Sequence, residues 1–126
     1  MARKETRPSE TQEQIALART LKGSGLFFTA VPNGGYRLRS EARTMKMMGV
    51  RPGIPDILVF DVPVGSRAKG LALELKRAGG VPSDVSKAQR KCLEELEARG
   101  WLTIVAFGAA DAREKMTKLG YELRGY

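Results

Sequence analysis

Three charged residues, two acidic and one basic, lie at or within two apolar segments of the chain. Asp56 opens the apolar run 57–60, and Glu74 and Lys76 lie in the alternating run 71–76. Because side chains two apart on a strand point to the same face, we expect the Glu74 carboxylate and the Lys76 ammonium to lie side by side. Two carboxylates can hold a hard divalent cation, and a lysine can orient a water beside it. The spacing therefore predicts hydrolysis of a phosphodiester.

The composition narrows the available chemistry. A length of 126 residues suits one domain. The chain has 22 Lys and Arg against 14 Asp and Glu, a net charge of +8. This charge favours a polyanionic partner, most often nucleic acid. A basic surface without a specific partner is the alternative. The chain has no histidine and a single cysteine. Histidine-dependent nucleophiles and histidine-ligated zinc are therefore excluded, and an oxygen-rich site for Mg²⁺ or Mn²⁺ is expected.

Apolar periodicity and turn residues predict an α/β domain, with a mixed sheet flanked by helices. Residues 1–8 are expected to form a flexible arm and residues 9–126 one domain. The 63–70 connection favours an antiparallel strand pair, and the later strand–helix–strand unit favours a parallel pair. In the second helix, Ala42, Met45 and Met48 are expected to face the core. The predicted order is helix 9–21, strand 26–31, helix 40–48, strand 56–60, strand 71–76, helix 86–99, strand 103–107 and helix 111–118.

These residues carry a family resemblance. Pro55-Asp56 followed by Glu74-Leu75-Lys76 resembles the PD-(D/E)XK nuclease signature. A longer ordered series resembles the VRR-NUC branch of that superfamily, whose stand-alone members are small and often encoded by phages. The resemblance implies a restriction-endonuclease-like core. The resemblance covers most of the chain, from about Thr11 to Phe107. Its ordered series consists of Gln12–Gln14, Val31–Gly35, Gly49–Asp56, Glu74–Arg77, Gln89 and Gly100.

The resemblance implies a role for each matched residue. Asp56, Glu74 and the Leu75 backbone carbonyl would bind Mg²⁺ or Mn²⁺. Lys76 would position the attacking water and stabilise charge on the phosphate. The resemblance implies two further residues. Glu13 would complete the acidic cluster from the first helix, directly or through water, with Glu10 as the alternative. Gln89 would orient Lys76 or the nucleophile.

The resemblance also implies a substrate and an assembly. We expect a structure-selective DNA endonuclease that acts on branched DNA such as Holliday junctions, as a homodimer in the cytoplasm with no membrane association. The alternatives are a non-catalytic DNA-binding subunit of the same fold, and a nuclease with the same chemistry that acts on single-stranded or linear duplex DNA. The expected DNA-binding residues are mainly basic: Asn33, Arg37, Arg39, Arg43, Arg51, Arg77, Lys87 and Arg90.

Overall fold

The computed structural model describes residues 7–32 and 39–124. The order of elements confirms the predicted αβαββαβα arrangement and the mixed α/β class. One short element was not predicted, because residues 79–83 had the composition of a flexible joint. The elements are α1 (Glu10–Gly23), β1 (Phe28–Ala30), α2 (Arg39–Met47), β2 (Ile57–Val59), β3 (Leu71–Lys76), a 3-10 helix (Pro82–Asp84), α3 (Lys87–Ala98), β4 (Leu102–Phe107) and α4 (Ala109–Leu119).

The four strands of the described residues form one sheet in the order β1-β2-β3-β4. The antiparallel pairing of β2 with β3 and the parallel pairing of β3 with β4 across α3 are as predicted. β1 also pairs with β2 in the antiparallel direction. The β2–β3 register pairs Ile57 with Leu73. Continued by one residue, the same register brings Asp56 opposite Glu74. The topology thus places the two carboxylates of the motif on adjacent chain segments.

The central strand β3 is buried on both faces of the sheet. Leu71, Leu73 and Leu75 belong to the main core, together with side chains of α1 and α4. Ala72 and Glu74, which point to the opposite face, are also buried. The sequence alternation predicted the two faces correctly, but the charged face of β3 is covered rather than exposed to solvent.

Two predicted helix faces are wrong in detail. In α2, Met45 is half-buried, whereas Ala42 is exposed and Met48 is 76% exposed. In α3, the spacing of Ala88, Cys92 and Leu96 predicts one apolar stripe. Leu93 is the buried residue of this helix, and Ala88, at the start of the stripe, is exposed. Periodicity identifies one apolar side of a helix but not how much of that side the rest of the fold covers. None of the helices in the described ranges is long and apolar enough to cross a membrane.

Candidate active site

The β2–β3 pairing brings together the three residues of the predicted centre. The Leu75 N–H donates a hydrogen bond to Asp56 Oδ2 at 2.7 Å. The Lys76 Nζ lies 3.5 Å from Glu74 Oε1, and both side chains are largely shielded from solvent. Asp56 is therefore tied to the backbone of the very strand that carries Glu74 and Lys76. One backbone contact and one ion pair thus fix the mutual positions of the two carboxylates and the ammonium.

Glu74 is the most unusual group in this cluster. Its side chain is 1% exposed, and its buried Oε2 has no hydrogen-bond partner among the described residues. Burial, followed by repulsion from Asp56, raises the pKa of Glu74 to about 7, against the opposing attraction of Lys76. An unpartnered buried carboxylate oxygen is costly in a folded protein and points to a function for that atom.

Gln89 approaches the same carboxylate from the first turn of α3. Its Nε2 donates to Glu74 Oε1 at 2.5 Å, while its Oε1 accepts from the Ser86 N–H at 2.8 Å. The Gln89 N–H in turn donates to Ser86 Oγ at 3.1 Å, which completes a capping box. Because the Ser86 N–H engages the amide oxygen, the amide nitrogen is turned towards Glu74. The structure therefore places Gln89 on the carboxylate that also binds Lys76.

The sequence predicted Gln89 as a site residue but not the contacts that orient its side chain. The Ser86-to-Gln89 spacing is a recognisable capping-box pattern, and this signal was available in the sequence. The contribution of Gly53 had no such signal. Gly53 has a φ of +78°, and a Cβ at this position would lie 2.5 Å from the Ala88 carbonyl carbon and 2.8 Å from the Gln89 nitrogen. The loop before β2 therefore packs directly on the turn that presents Gln89.

The first helix supplies two acidic residues with different surroundings. Glu13 is half-buried, and its carboxylate lies so close to Gly108 that a Cβ there would collide with it. Gly108 is the N-cap of α4, where a negative charge is favourable. The first-helix carboxylate that raises the pKa of Glu74 is Glu10. Glu13 stays a prediction as a site residue, and Glu10, the alternative, is the α1 residue whose charge acts on Glu74.

The donor atoms available for a cation are oxygens of two side chains and of the backbone. In the described ranges, no group of three or more Asp, Glu, Cys or His side chains could hold a metal ion. The Lys76 carbonyl accepts from the Gly108 N–H, on the β4 side of β3. Because backbone groups of successive strand residues alternate in direction, those of Leu75 point towards β2, where its N–H already binds Asp56. The Leu75 carbonyl thus points to the side on which Asp56 lies.

The predicted DNA-binding residues occupy several surfaces. Arg77 follows Lys76 directly, and Lys87 and Arg90 lie in the first turn of α3 beside Gln89; all three are exposed. Of the remaining residues, Arg43 and Arg51 are exposed in and after α2, the side chain of Arg39 is not described, and Asn33 and Arg37 lie outside the described residues.

The fold is shared with a known structure. The chain is similar to a solved structure described as a VRR_NUC domain protein, with a TM-score of 0.68 and 21% sequence identity, over 91% of this chain and 93% of that chain. Neither a protein-family model nor a curated protein sequence matches the chain. At this identity the likeness establishes the fold, and the site must be argued from its own residues. The resemblance seen in the sequence is thus confirmed at the level of the fold: the chain has the α/β fold of a VRR-NUC domain protein.

Proposed function

We propose that this protein is a divalent-metal-dependent DNA endonuclease. The observation that carries the proposal is Glu74: its buried Oε2 has no hydrogen-bond partner in the part of the chain that the structure describes, and it lies in a cluster with Asp56 and Lys76. A structural ion pair would not require a buried carboxylate oxygen without a partner. A bound cation would supply that partner and would also relieve the repulsion between the two carboxylates.

The oxygen donors fit a hard cation. Asp56, Glu74 and the Leu75 carbonyl would hold Mg²⁺ or Mn²⁺, which supplies Lewis acidity and activates water when it is bound. Gln89 and Lys76 both engage Glu74 Oε1, which leaves Oε2 as the oxygen for the cation. Glu10 or Glu13 would add a negative charge from α1.

Lys76 has two roles in this proposal. Its ammonium is held at the site by Glu74 and can donate a hydrogen bond to a non-bridging phosphate oxygen, whose negative charge increases during attack. It can also orient the attacking water. Hydrolysis forms a bond from the water oxygen to phosphorus and breaks the bond to the leaving sugar oxygen. Arg77, Lys87 and Arg90, exposed around the site, would bind neighbouring phosphates.

The proposed substrate is branched DNA, and the proposed assembly is a homodimer. The substrate follows from the family resemblance. The dimer is supported by exposed apolar residues at the end of α2, where Met47 is 82% exposed, Met48 76% and Val50 49%. Symmetric cutting of a four-way junction needs two sites related by a two-fold axis, which such a dimer would provide.

The experiment that tests this function compares four labelled DNAs: a four-way junction, a flap, a single strand and a linear duplex. Each is incubated with EDTA, Mg²⁺ or Mn²⁺, and the wild-type protein is compared with Asp56→Asn and with Lys118→Ala as a control at an exposed lysine near the end of α4. We expect metal-dependent paired nicks in the junction with the wild type and the control, and none with Asp56→Asn. Cutting of the other DNAs instead would keep the chemistry and refute the junction preference. Binding without cutting under every condition would refute the enzyme.

A further inference from the structure

A groove of about 590 Å³ runs along α1, and its basic residues have no role in the proposed chemistry. Two arginines line it, Arg7 before the helix and Arg19 in its second half, with Gln12, Ile15 and Ala16 between them. We propose that this groove binds the sugar–phosphate backbone of a DNA strand that extends beyond the cleaved phosphodiester. This inference rests on the proposed function and extends it to Arg7 and Arg19, which that function does not use.

The position of Arg7 links the groove to the candidate active site. The Arg7 guanidinium donates to the Ala78 carbonyl at 3.5 Å and lies over Gly79, where a Cβ would collide with it. Ala78 and Gly79 follow β3 directly after Lys76 and Arg77. The first basic group of the groove therefore lies beside the loop that continues from the catalytic strand.

The first turn of α1 lies between the two features. Glu10, at the start of the helix, acts electrostatically on Glu74, whereas Gln12 lines the groove. A nucleic acid strand with one phosphate at Lys76 can therefore continue past the N-terminal end of α1 into the groove. From Glu10 to Arg19 the helix rises roughly 14 Å. One strand of a duplex presents about four phosphates over that distance.

The charges and surfaces of the groove match such a strand. Glu13 also lines it, but its carboxylate is packed against Gly108 at the N-terminus of α4, where the helix dipole offsets its charge. The exposed guanidinium groups of Arg7 and Arg19 therefore dominate the groove. Ile15, which is 50% exposed, offers an apolar surface for a sugar. Phosphate and sugar contacts of this kind position a nucleic acid without reading its sequence.

The test measures DNA binding without cleavage, so that it does not depend on activity. Fluorescence anisotropy with a labelled duplex and the corresponding single strand, in EDTA, compares the wild type with Arg7→Gln and Arg19→Gln. Lys118→Gln is the control, because it removes one positive charge near the end of α4, where Lys118 is exposed and paired with Glu114. We expect each arginine variant to bind about three- to tenfold more weakly and to lower the salt slope of log K by about 0.7–0.9. The control should match the wild type.

A second measurement locates the contact. Single neutral methylphosphonates are placed along one strand of the DNA, and binding is measured for the wild type and for Arg19→Gln. At one or two adjacent positions to one side of the cut, the methylphosphonate should weaken the wild type but not Arg19→Gln. Additive effects at every position would overturn the groove assignment.

Two further results separate the inference from the function on which it rests. Salt-dependent DNA binding that is unchanged in both arginine variants would refute the groove and leave the nuclease proposal intact. No DNA binding by the wild type would refute both. If poly-glutamate competes as well as DNA of equal charge, the groove is an acidic-peptide site, and the inference is wrong.

Discussion

Glu74→Gln tests whether the buried carboxylate is arranged for a cation. Glutamine has the shape of a protonated glutamate and carries no charge to bury. In the folded protein the pKa of Glu74 rises from the ordinary value of 4.5 to about 7. This rise corresponds to about 3 kcal/mol of folding free energy at 1.36 kcal/mol per pKa unit. In the absence of metal, ionised Glu74 should therefore destabilise the fold.

The sign of the pH dependence follows from the raised pKa. Below pH 4.5, Glu74 is protonated in the folded and the unfolded states, and the wild type and Glu74→Gln should be similarly stable. As the pH rises from 4.5 to about 7, the wild type loses about 3 kcal/mol relative to the variant, and above pH 7 the difference stays constant. Urea unfolding in EDTA at a series of pH values measures this difference. Glu94→Gln, at an exposed position of α3, is the control and should show no such change.

Addition of Mg²⁺ or Mn²⁺ should reverse the order of stability. At pH 8 the cation should stabilise the wild type, because it binds the folded state, and should have little effect on Glu74→Gln. The reasoning would be refuted if Glu74→Gln were the less stable protein in EDTA at pH 8. It would also be refuted if the difference between the two proteins were the same at every pH.

Three further experiments test the positioning of the site. Gln89→Glu retains the capping box but replaces the amide donor with a second carboxylate. The helix content measured by circular dichroism should therefore be unchanged, whereas metal-dependent cleavage should fall at least tenfold. Unchanged cleavage would show that the donor is dispensable. Glu10→Gln should weaken Mn²⁺ binding measured by calorimetry, whereas Glu13→Gln should mainly lower the melting temperature. The reverse result would identify Glu13, the residue implied by the family resemblance, as the acidic residue of the site. Gly53→Ala should lower the free energy of unfolding, measured in urea, by about 2–4 kcal/mol, because the new Cβ meets the α3 backbone. Gly65→Ala is the control: Gly65 also has a positive φ, +84°, but a Cβ there meets none of the described residues, so the loss should be only about 1 kcal/mol. Equal losses for the two glycines would refute the close packing of the loop.

The strand pattern made the centre of the site predictable. Alternation in β3 put Glu74 and Lys76 on one face, and the position of Asp56 before β2 put it near them. Both placements depend only on residues that are close in sequence or that lie on the paired strand of the same hairpin. The capping residues Ser9 and Ser86 were predictable for the same reason, since a cap acts within one turn.

The features that the sequence did not predict depend on contacts between distant segments. Nothing near Gly53 in the sequence indicates that the α3 backbone lies against it. Glu10 and Glu13 lie in the same turn of one helix, so that only the packing of α1 against the sheet and α4 decides which of them approaches Glu74. The exposure of Met48 depends on the surroundings of α2 and not on its own pattern.

The most direct test of the central claim is single-turnover cleavage of a four-way DNA junction by the wild type and Lys76→Ala in Mg²⁺ or Mn²⁺, with DNA binding measured in the same samples. Lys76 contacts Glu74, and its loss should leave the DNA affinity within a few-fold while it lowers the cleavage rate by about 10²–10³-fold. EDTA should abolish cleavage by the wild type. If Lys76→Ala cuts as fast as the wild type, or if the wild type cuts equally well in EDTA, the cluster of Asp56, Glu74 and Lys76 is not the catalytic centre of a metal-dependent nuclease.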